Sequence, residues 1–393
     1  MKHLITALLC GSMAFFSTSC RESLEEVVDR GLDVAGRQSV LLAQELELQQ
    51  DRLPRTFEDG EVKSTTYRGW VSGFFPGTLW YLYEHSPSEE LRRYADLYTL
   101  RVEPAKDLTS THDLGFMLYC SFGNGYRLTE NPYYMEVLER GAASLATRYN
   151  DTVRALQSWN SNSNWQYPVI IDNMMNLEFL SFVSKKTNNE RYLEIANRHA
   201  RKTLENHFRP DNSCFHVVSY DTINGLPHFK GTHQGYSNES VWARGQAWAL
   251  YGYTMMYRET GLTDYLEQAR KVAAFIEKHP NLPEDKIPYW DFDAPDIPNC
   301  LRDASAGAIM ASALIELSQL DTSPEAAAWL KLAKQQIRSL SSPEYLSEVG
   351  ANGGFILKHS VGNHNKNSEM DVPLSYADYY YVEALLRLKK VLK

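Results

Sequence analysis

WARGQAWALYGYTMMYRETGLTDYLEQARKVAAFIEK, residues 242–278, holds two helices of opposite character. Over 244–258, apolar, small and aromatic residues fall on nearly every side of a 3.6-residue period, so a helix there has to be buried all round. Over 263–278 the pattern is amphipathic and rich in charge, which suits a helix with one face in water.

The same pairing recurs in both directions along the chain. Charge-rich amphipathic segments lie near 24–48, 88–103, 132–149, 188–206, 263–278 and 324–341, and apolar ones near 77–85, 113–122, 172–184, 244–258, 303–318 and 376–389. They alternate strictly, outer then inner, as six hairpins. Six buried helices, each paired with an exposed one, close most simply as an all-α (α/α)6 barrel whose outer ring screens the inner ring from water. An open solenoid is the alternative, and it would need distinct polar caps that the end pairs lack. Strand-like runs are short, as at His216 to Tyr220, and fit loop hairpins. No linker marks a second domain, so a single barrel domain over 21–393 is expected.

Residues 1–20 read as a processing segment outside the fold. Lys2 precedes an apolar stretch from Leu4 to Phe16, too short to span a bilayer, and Ser17, Thr18 and Ser19 then lead to Cys20. Small residues before a cysteine resemble a bacterial lipobox, whose cleavage leaves the cysteine lipidated; a plain secretory signal is the alternative. Either way the chain is expected to be exported, as a periplasmic protein or an outer-membrane lipoprotein held only by its lipid anchor. Cys120, Cys214 and Cys300 are odd in number and widely spaced, which suits buried free thiols and neither a disulfide framework nor a zinc site. The formal charge of −9 speaks against nucleic-acid binding and obliges any anionic substrate to meet a local cation.

Several inner helices open on a charged residue: Asp113 in THDLGF, Asp172 in VIIDNMMN, Arg244 in WARGQAW and Asp303 in LRDASAG. Shared position puts them at one mouth of the barrel. Helix capping accounts for a lone aspartate there, whereas an arginine at a helix N-terminus opposes the macrodipole and needs another reason. Two carboxyls across a cavity, one kept protonated by apolar neighbours, fit glycosidic acid/base chemistry. Trp70, Trp159, Trp165, Trp242 and Trp290 lie just before inner helices, hence at the same mouth; filling a core predicts no such bias, and a carbohydrate cleft does. Asp291, Asp293 and Asp296 in WDFDAPD lack the glycine and distal glutamate of a calcium loop and are read as a solvated loop. HExxH, GxSxG, Walker and dinucleotide motifs are missing, so no metal or cofactor is expected.

RGWVSGFFPGTLW, HDLGF, VIIDNMMNLE, HQGYSNESVWARGQAWALYG and SYADYYYVEALLR, in this order, resemble the unsaturated glucuronyl hydrolases of glycoside hydrolase family 88. The resemblance covers essentially the whole mature chain. It implies that Asp172 is the acid/base and Asp113 its partner carboxylate. It further implies that His216, Thr232, Gln234, Trp242, Arg244 and Trp248 line a subsite for an unsaturated uronic acid, flanked by Trp70 and Phe74. The loop from Lys358 to Glu369, with Ser360, resembles the region that contacts the next sugar. The implied activity is removal of a 4,5-unsaturated uronic acid from lyase-generated glycosaminoglycan oligosaccharides. Unsaturated rhamnogalacturonyl hydrolases acting on pectin share the barrel and are the alternative, and a non-catalytic glycan-binding surface lipoprotein is another.

Overall fold

The computed structural model describes residues 22–393; the expected leader and Cys20 lie outside the described residues. Helix α1 (Leu24–Leu46) is capped by Ser23, whose hydroxyl accepts from the Glu26 amide while the Glu26 carboxylate accepts from the Ser23 amide. An antiparallel hairpin, β1 (Leu53–Glu58) with β2 (Glu61–Thr65), leads to α2 (Phe74–His85) and α3 (Glu89–Val102). A π-helix (Gly115–Gly123) runs into α4 (Asn124–Thr129), and α5 (Pro132–Ala146) follows. Short strands β3 (Tyr149–Asn150), β4 (Ala155–Leu156) and β5 (Pro168–Ile170) precede a 3-10 segment (Ile171–Asn176), which continues as α6 (Leu177–Thr187) before α7 (Glu190–Asn206). Strands β6 (Val217–Tyr220) and β7 (Pro227–Gly231) join β5 in an antiparallel sheet with β6 in the middle. The rest comprises α8 (Ala243–Thr260), α9 (Thr263–Lys278), α10 (Ala304–Leu320), α11 (Ala326–Leu340), the hairpin β8 (Ser360–Asn363) with β9 (Ser368–Val372), and α12 (Ser375–Leu392).

The helices sort as their patterns require. Every residue from Ala243 to Met256, Ala304 to Ile315 and Ser375 to Leu386 is buried, whereas α9 buries one stripe that includes Tyr265, Ala269, Val272 and Ile276. Around the inner ring α2 meets the π-helix, which meets α6; α6 meets α8, α8 meets α10, α10 meets α12, and α12 returns to α2. The ring is closed, an (α/α)6 barrel and not an open solenoid. Two inner helices depart from the plain α-helix expected over 113–122 and 172–184, opening as the π-helix and the 3-10 segment. The run from His216 also departs from a simple hairpin, being the centre of three strands.

The two ends of the barrel differ. Turns from an inner to the next outer helix are short, at 86–88, 130–131, 188–189, 261–262 and 321–325. The returns, at 47–73, 103–114, 147–170, 207–242, 279–303 and 341–374, are long and carry every strand among the described residues. Loop mass therefore collects where the inner helices start. Towards the opposite end the half-buried Arg258 pairs with Glu178, Glu259 and Glu316, and Arg387 with Glu316 and Glu383. These pairs neutralise charges that the apolar helices α6, α8, α10 and α12 take into the ring.

Candidate active site

Asp113 and Asp172 stand on neighbouring segments at the loop-rich end. Neither is a helix cap: the π-helix and the 3-10 segment begin without a side-chain cap, whereas Asp303 caps α10 by accepting from the Ser305 amide at 3.0 Å. Capping explains Asp303 and leaves the other two unexplained. The segments are joined by Asn176, whose Oδ1 accepts from the Phe116 amide at 3.1 Å. Gly115 makes the contact possible, because a Cβ there would sit 2.7 Å from the Asn176 Cα. Gly115→Ala should therefore cost about 1–3 kcal/mol of stability and lower kcat, since backbone would have to move. Gly36→Ala on α1, where a Cβ meets nothing within 4 Å, should be neutral or stabilising by about 0.5–1 kcal/mol. Denaturation curves and turnover of the two variants check the contrast.

Asp113 accepts from the Thr111 hydroxyl at 2.7 Å and lies 3.2 Å from His112 Nε2. Asp172 is 8% exposed, and its Oδ2 has no hydrogen-bond partner within the protein. Burial pushes the Asp172 carboxyl up to about 7; the Arg244 charge and its own backbone oppose this, the Asp113 charge adds to it, and Trp248 opposes it. His216 Nε2 lies 3.5 Å from Asp172 Oδ2. The Nδ1 of His216 faces the amides of His233 (3.1 Å) and Gln234 (3.2 Å), so it accepts and the ring proton belongs on Nε2, directed at Asp172. Burial holds the imidazole well below its usual pKa, hence neutral. A carboxyl whose pKa is pushed up to about 7 by burial can give a proton at neutral pH and take it back. If it acts as the acid, kcat/KM should fall about tenfold per pH unit above about 7, which a pH–rate profile measures.

Arg244 has the second role its position demanded. It is 1% exposed; it donates to Asp303 Oδ2 at 2.9 Å, Val361 O at 2.6 Å and Gly362 O at 2.7 Å, and its guanidinium lies 4.6 Å from the Trp242 ring. It thus ties α8 to α10 and to the β8–β9 hairpin. Gln234 Nε2 donates to the same Gly362 carbonyl at 3.0 Å, and Thr232 Oγ1 accepts from the Gly235 amide at 2.7 Å, shaping the turn that holds His216. Trp70 keeps a half-buried ring 4.8 Å from Tyr376 and 5.5 Å from Phe116, which in turn is 5.3 Å from Trp248.

Phe74 lies deeper than Trp70. Expected to flank the subsite, it is fully buried among Trp70, Phe116, Tyr376, Tyr379 and Tyr380. The tryptophan cluster also divides. Trp242 and Trp290 are 4% and 2% exposed, the first against His216 and the second stacked on His364 at 4.0 Å, whereas Trp70, Trp159 and Trp165 keep partly open faces. Asp291 is no solvated loop residue: it is buried and accepts from the Tyr236 amide and the Ser240 hydroxyl. No cluster of metal-ligating side chains occurs among the described residues. Cys120 and Cys214 are buried free thiols, and Cys300 is partly exposed.

Buried polar atoms without a protein partner sharpen the site. Besides Asp172 Oδ2 and His216 Nε2 they include Trp248 Nε1, Ser360 Oγ, Asn363 Oδ1, Ser375 Oγ and Tyr376 Oη. Leaving such atoms unpaired costs about 1–3 kcal/mol each, which a hydroxylated ligand would offset. Asn363, Ser375 and Tyr376 were not singled out from sequence. The signal was available for two of them, because Ser375 and Tyr376 open α12 as Arg244 opens α8.

The chain is similar to known proteins over most of its length. The pattern of Glycosyl Hydrolase Family 88 matches residues 47–387. An unsaturated glucuronyl hydrolase of Formosa agariphila is 47% identical over 84% of this chain and 82% of its own. An unsaturated chondroitin disaccharide hydrolase of Streptococcus agalactiae is 31% identical over 82% of this chain and 81% of its own. A crystal structure of an unsaturated glucuronyl hydrolase specific for heparin superposes with a TM-score of 0.89 at 47% identity, covering 93% of this chain and 98% of that one. With that pattern spanning most of the chain and relatives of this identity and fold, the chain belongs to Glycosyl Hydrolase Family 88 and is a glycoside hydrolase.

Proposed function

We propose that the enzyme removes the 4,5-unsaturated uronic acid from the non-reducing end of glycosaminoglycan oligosaccharides produced by lyases, by hydrating the ring double bond. The observation that carries this is Asp172, a buried carboxyl titrating near 7 whose Oδ2 has no protein partner. In an unsaturated uronate the ring oxygen is attached to the C4=C5 bond, so the ring is an enol ether and protonation at C4 creates a cation shared by C5 and that oxygen. Asp172 donates the proton to C4, and the resulting carboxylate takes a proton from the water that bonds to C5. The hemiketal then opens by breaking the bond from C5 to the ring oxygen, leaving a ketone at C5 and a hydroxyl at C1. That hemiacetal releases the aglycone alcohol. The Asp113 carboxylate stabilises the developing charge and orients ring hydroxyls, while His216 and Trp248 direct their N–H groups into the same space.

The relatives' names support this substrate class, covering unsaturated glucuronyl, heparin and chondroitin-derived substrates. A panel of lyase-generated disaccharides, with and without sulfates, tests it through loss of the ultraviolet absorbance of the conjugated double bond. Decay on glycosaminoglycan products is expected, and activity confined to pectin-derived substrates would favour the rhamnogalacturonyl alternative. Binding with no decay would favour a glycan-binding protein. We also propose export and lipidation at Cys20, supported by the segment from Lys2 to Ser19. Mass spectrometry of the mature N-terminus should find a lipid on Cys20 that Cys20→Ser removes.

A further inference from the structure

The aromatic rings at the mouth continue past the pocket of Asp172. Trp242 lies 4.5 Å from His216, His216 is 6.4 Å from His233, and His233 is 5.6 Å from Trp159. Trp159 is then 6.1 Å from Trp165, and Trp165 is 5.3 Å from Phe229. Exposure rises along this series, from 4% at Trp242 and 3% at His216, through the half-buried Trp159 and Trp165, to 38% at Phe229 on β7. The series therefore leads from the acid to open solvent.

The outer rings stand outside the buried hydrophobic clusters. The main core takes in Trp70 at its margin, and the small cluster beneath the β5–β6–β7 sheet takes in Phe215, but the half-buried Trp159 and Trp165 join neither, and Phe229 is exposed. Leaving such rings half in water forfeits burial that a core position would give. Their loop is nevertheless held in shape: Asn162 Oδ1 accepts from the Asn164 and Trp165 amides, and the Gln166 amide donates to Ser219 Oγ on β6 at 3.2 Å. Between Trp159 and Trp165 stand only Asn160, Ser161, Asn162, Ser163 and Asn164, all uncharged and able to hydrogen-bond hydroxyls. Ordered aromatic faces beside amides and hydroxyls suit the C–H face and the hydroxyl edge of a pyranose.

We propose that Trp165 and Phe229 form a platform for a sugar beyond the first residue of the aglycone, so that the enzyme favours unsaturated tetrasaccharides over disaccharides. This rests on the proposed function, and places the leaving oligosaccharide along the loop from Trp159 to Trp165 and the edge of β7. The test compares kcat/KM on an unsaturated tetrasaccharide and on the matching disaccharide from the same lyase digest, for the wild type, Trp165→Ala, Phe229→Ala and Trp165→Tyr. The wild type should favour the tetrasaccharide by about tenfold, the gain of one good stacking contact. Trp165→Ala and Phe229→Ala should remove most of that ratio through a higher KM on the tetrasaccharide, and Trp165→Tyr should keep most of it. A wild type indifferent to length, or alanine variants that keep the wild-type ratio, would overturn the platform. No turnover of either substrate by the wild type would instead overturn the proposed function.

Discussion

Asp172→Asn is expected to lower kcat by about 10²–10⁴, the usual worth of a positioned general acid. An amide has no acidic proton to give to an alkene carbon, and it retains the shape that fills the space beside His216 and Trp248. The loss should not be a folding defect. Asp172 titrates near 7 in the folded protein against an ordinary value of 3.8, so its contribution to stability is fully present below 3.8 and is lost as pH rises through 7. Asparagine carries no such cost, and at pH 8 the variant should melt at or above the wild type. Absorbance decay on an unsaturated disaccharide, with a melting curve at the same pH, measures both. Wild-type turnover by the variant would remove Asp172 from the chemistry.

Arg244→Met should be the most destabilising single change at the mouth. It leaves Asp303 as a buried carboxylate without its cationic partner and removes one donor each from the Val361 and Gly362 carbonyls, of which Gly362 keeps Gln234. Breaking one member of a buried pair costs about 3–5 kcal/mol. The Arg244 charge also opposes the rise in the Asp172 pKa, so any activity left in the variant should persist to higher pH. Chemical denaturation and a pH–rate profile report the two effects. An arginine that only bound substrate would give the opposite pattern, with unchanged stability and a raised KM.

The barrel was legible because burial and exposure alternate over whole helices, and that alternation is written in the residues of α8 and α9 as plainly as in their packing. The π-helix at Gly115 and the 3-10 segment at Ile171 were not, since hydrophobic period over about ten residues cannot register one residue more or fewer per turn. Both irregular segments immediately follow or contain a candidate carboxylate. Among the aspartates, sequence could not separate a cap from a reacting group: Asp303 turned out to be the cap, and Asp113 and Asp172 are free of that duty. Phe74 opens α2 and Trp70 lies in the turn before it, and adjacency in sequence does not say that one ring is fully buried and the other half-buried. The charges of Glu178, Arg258, Glu316, Glu383 and Arg387 were hidden within helices read as apolar, because each charge is matched only by a partner on another helix or beside it on its own.

The account turns on the double bond as the reacting group and Asp172 as its proton donor. The direct test offers the wild-type enzyme a matched pair: an unsaturated uronate disaccharide and the same disaccharide with a saturated uronic acid. Aglycone release from the unsaturated compound alone, in step with loss of its absorbance, is the expected result. Release from both at similar rates would show cleavage at C1 by ordinary glycoside hydrolysis and would contradict the account.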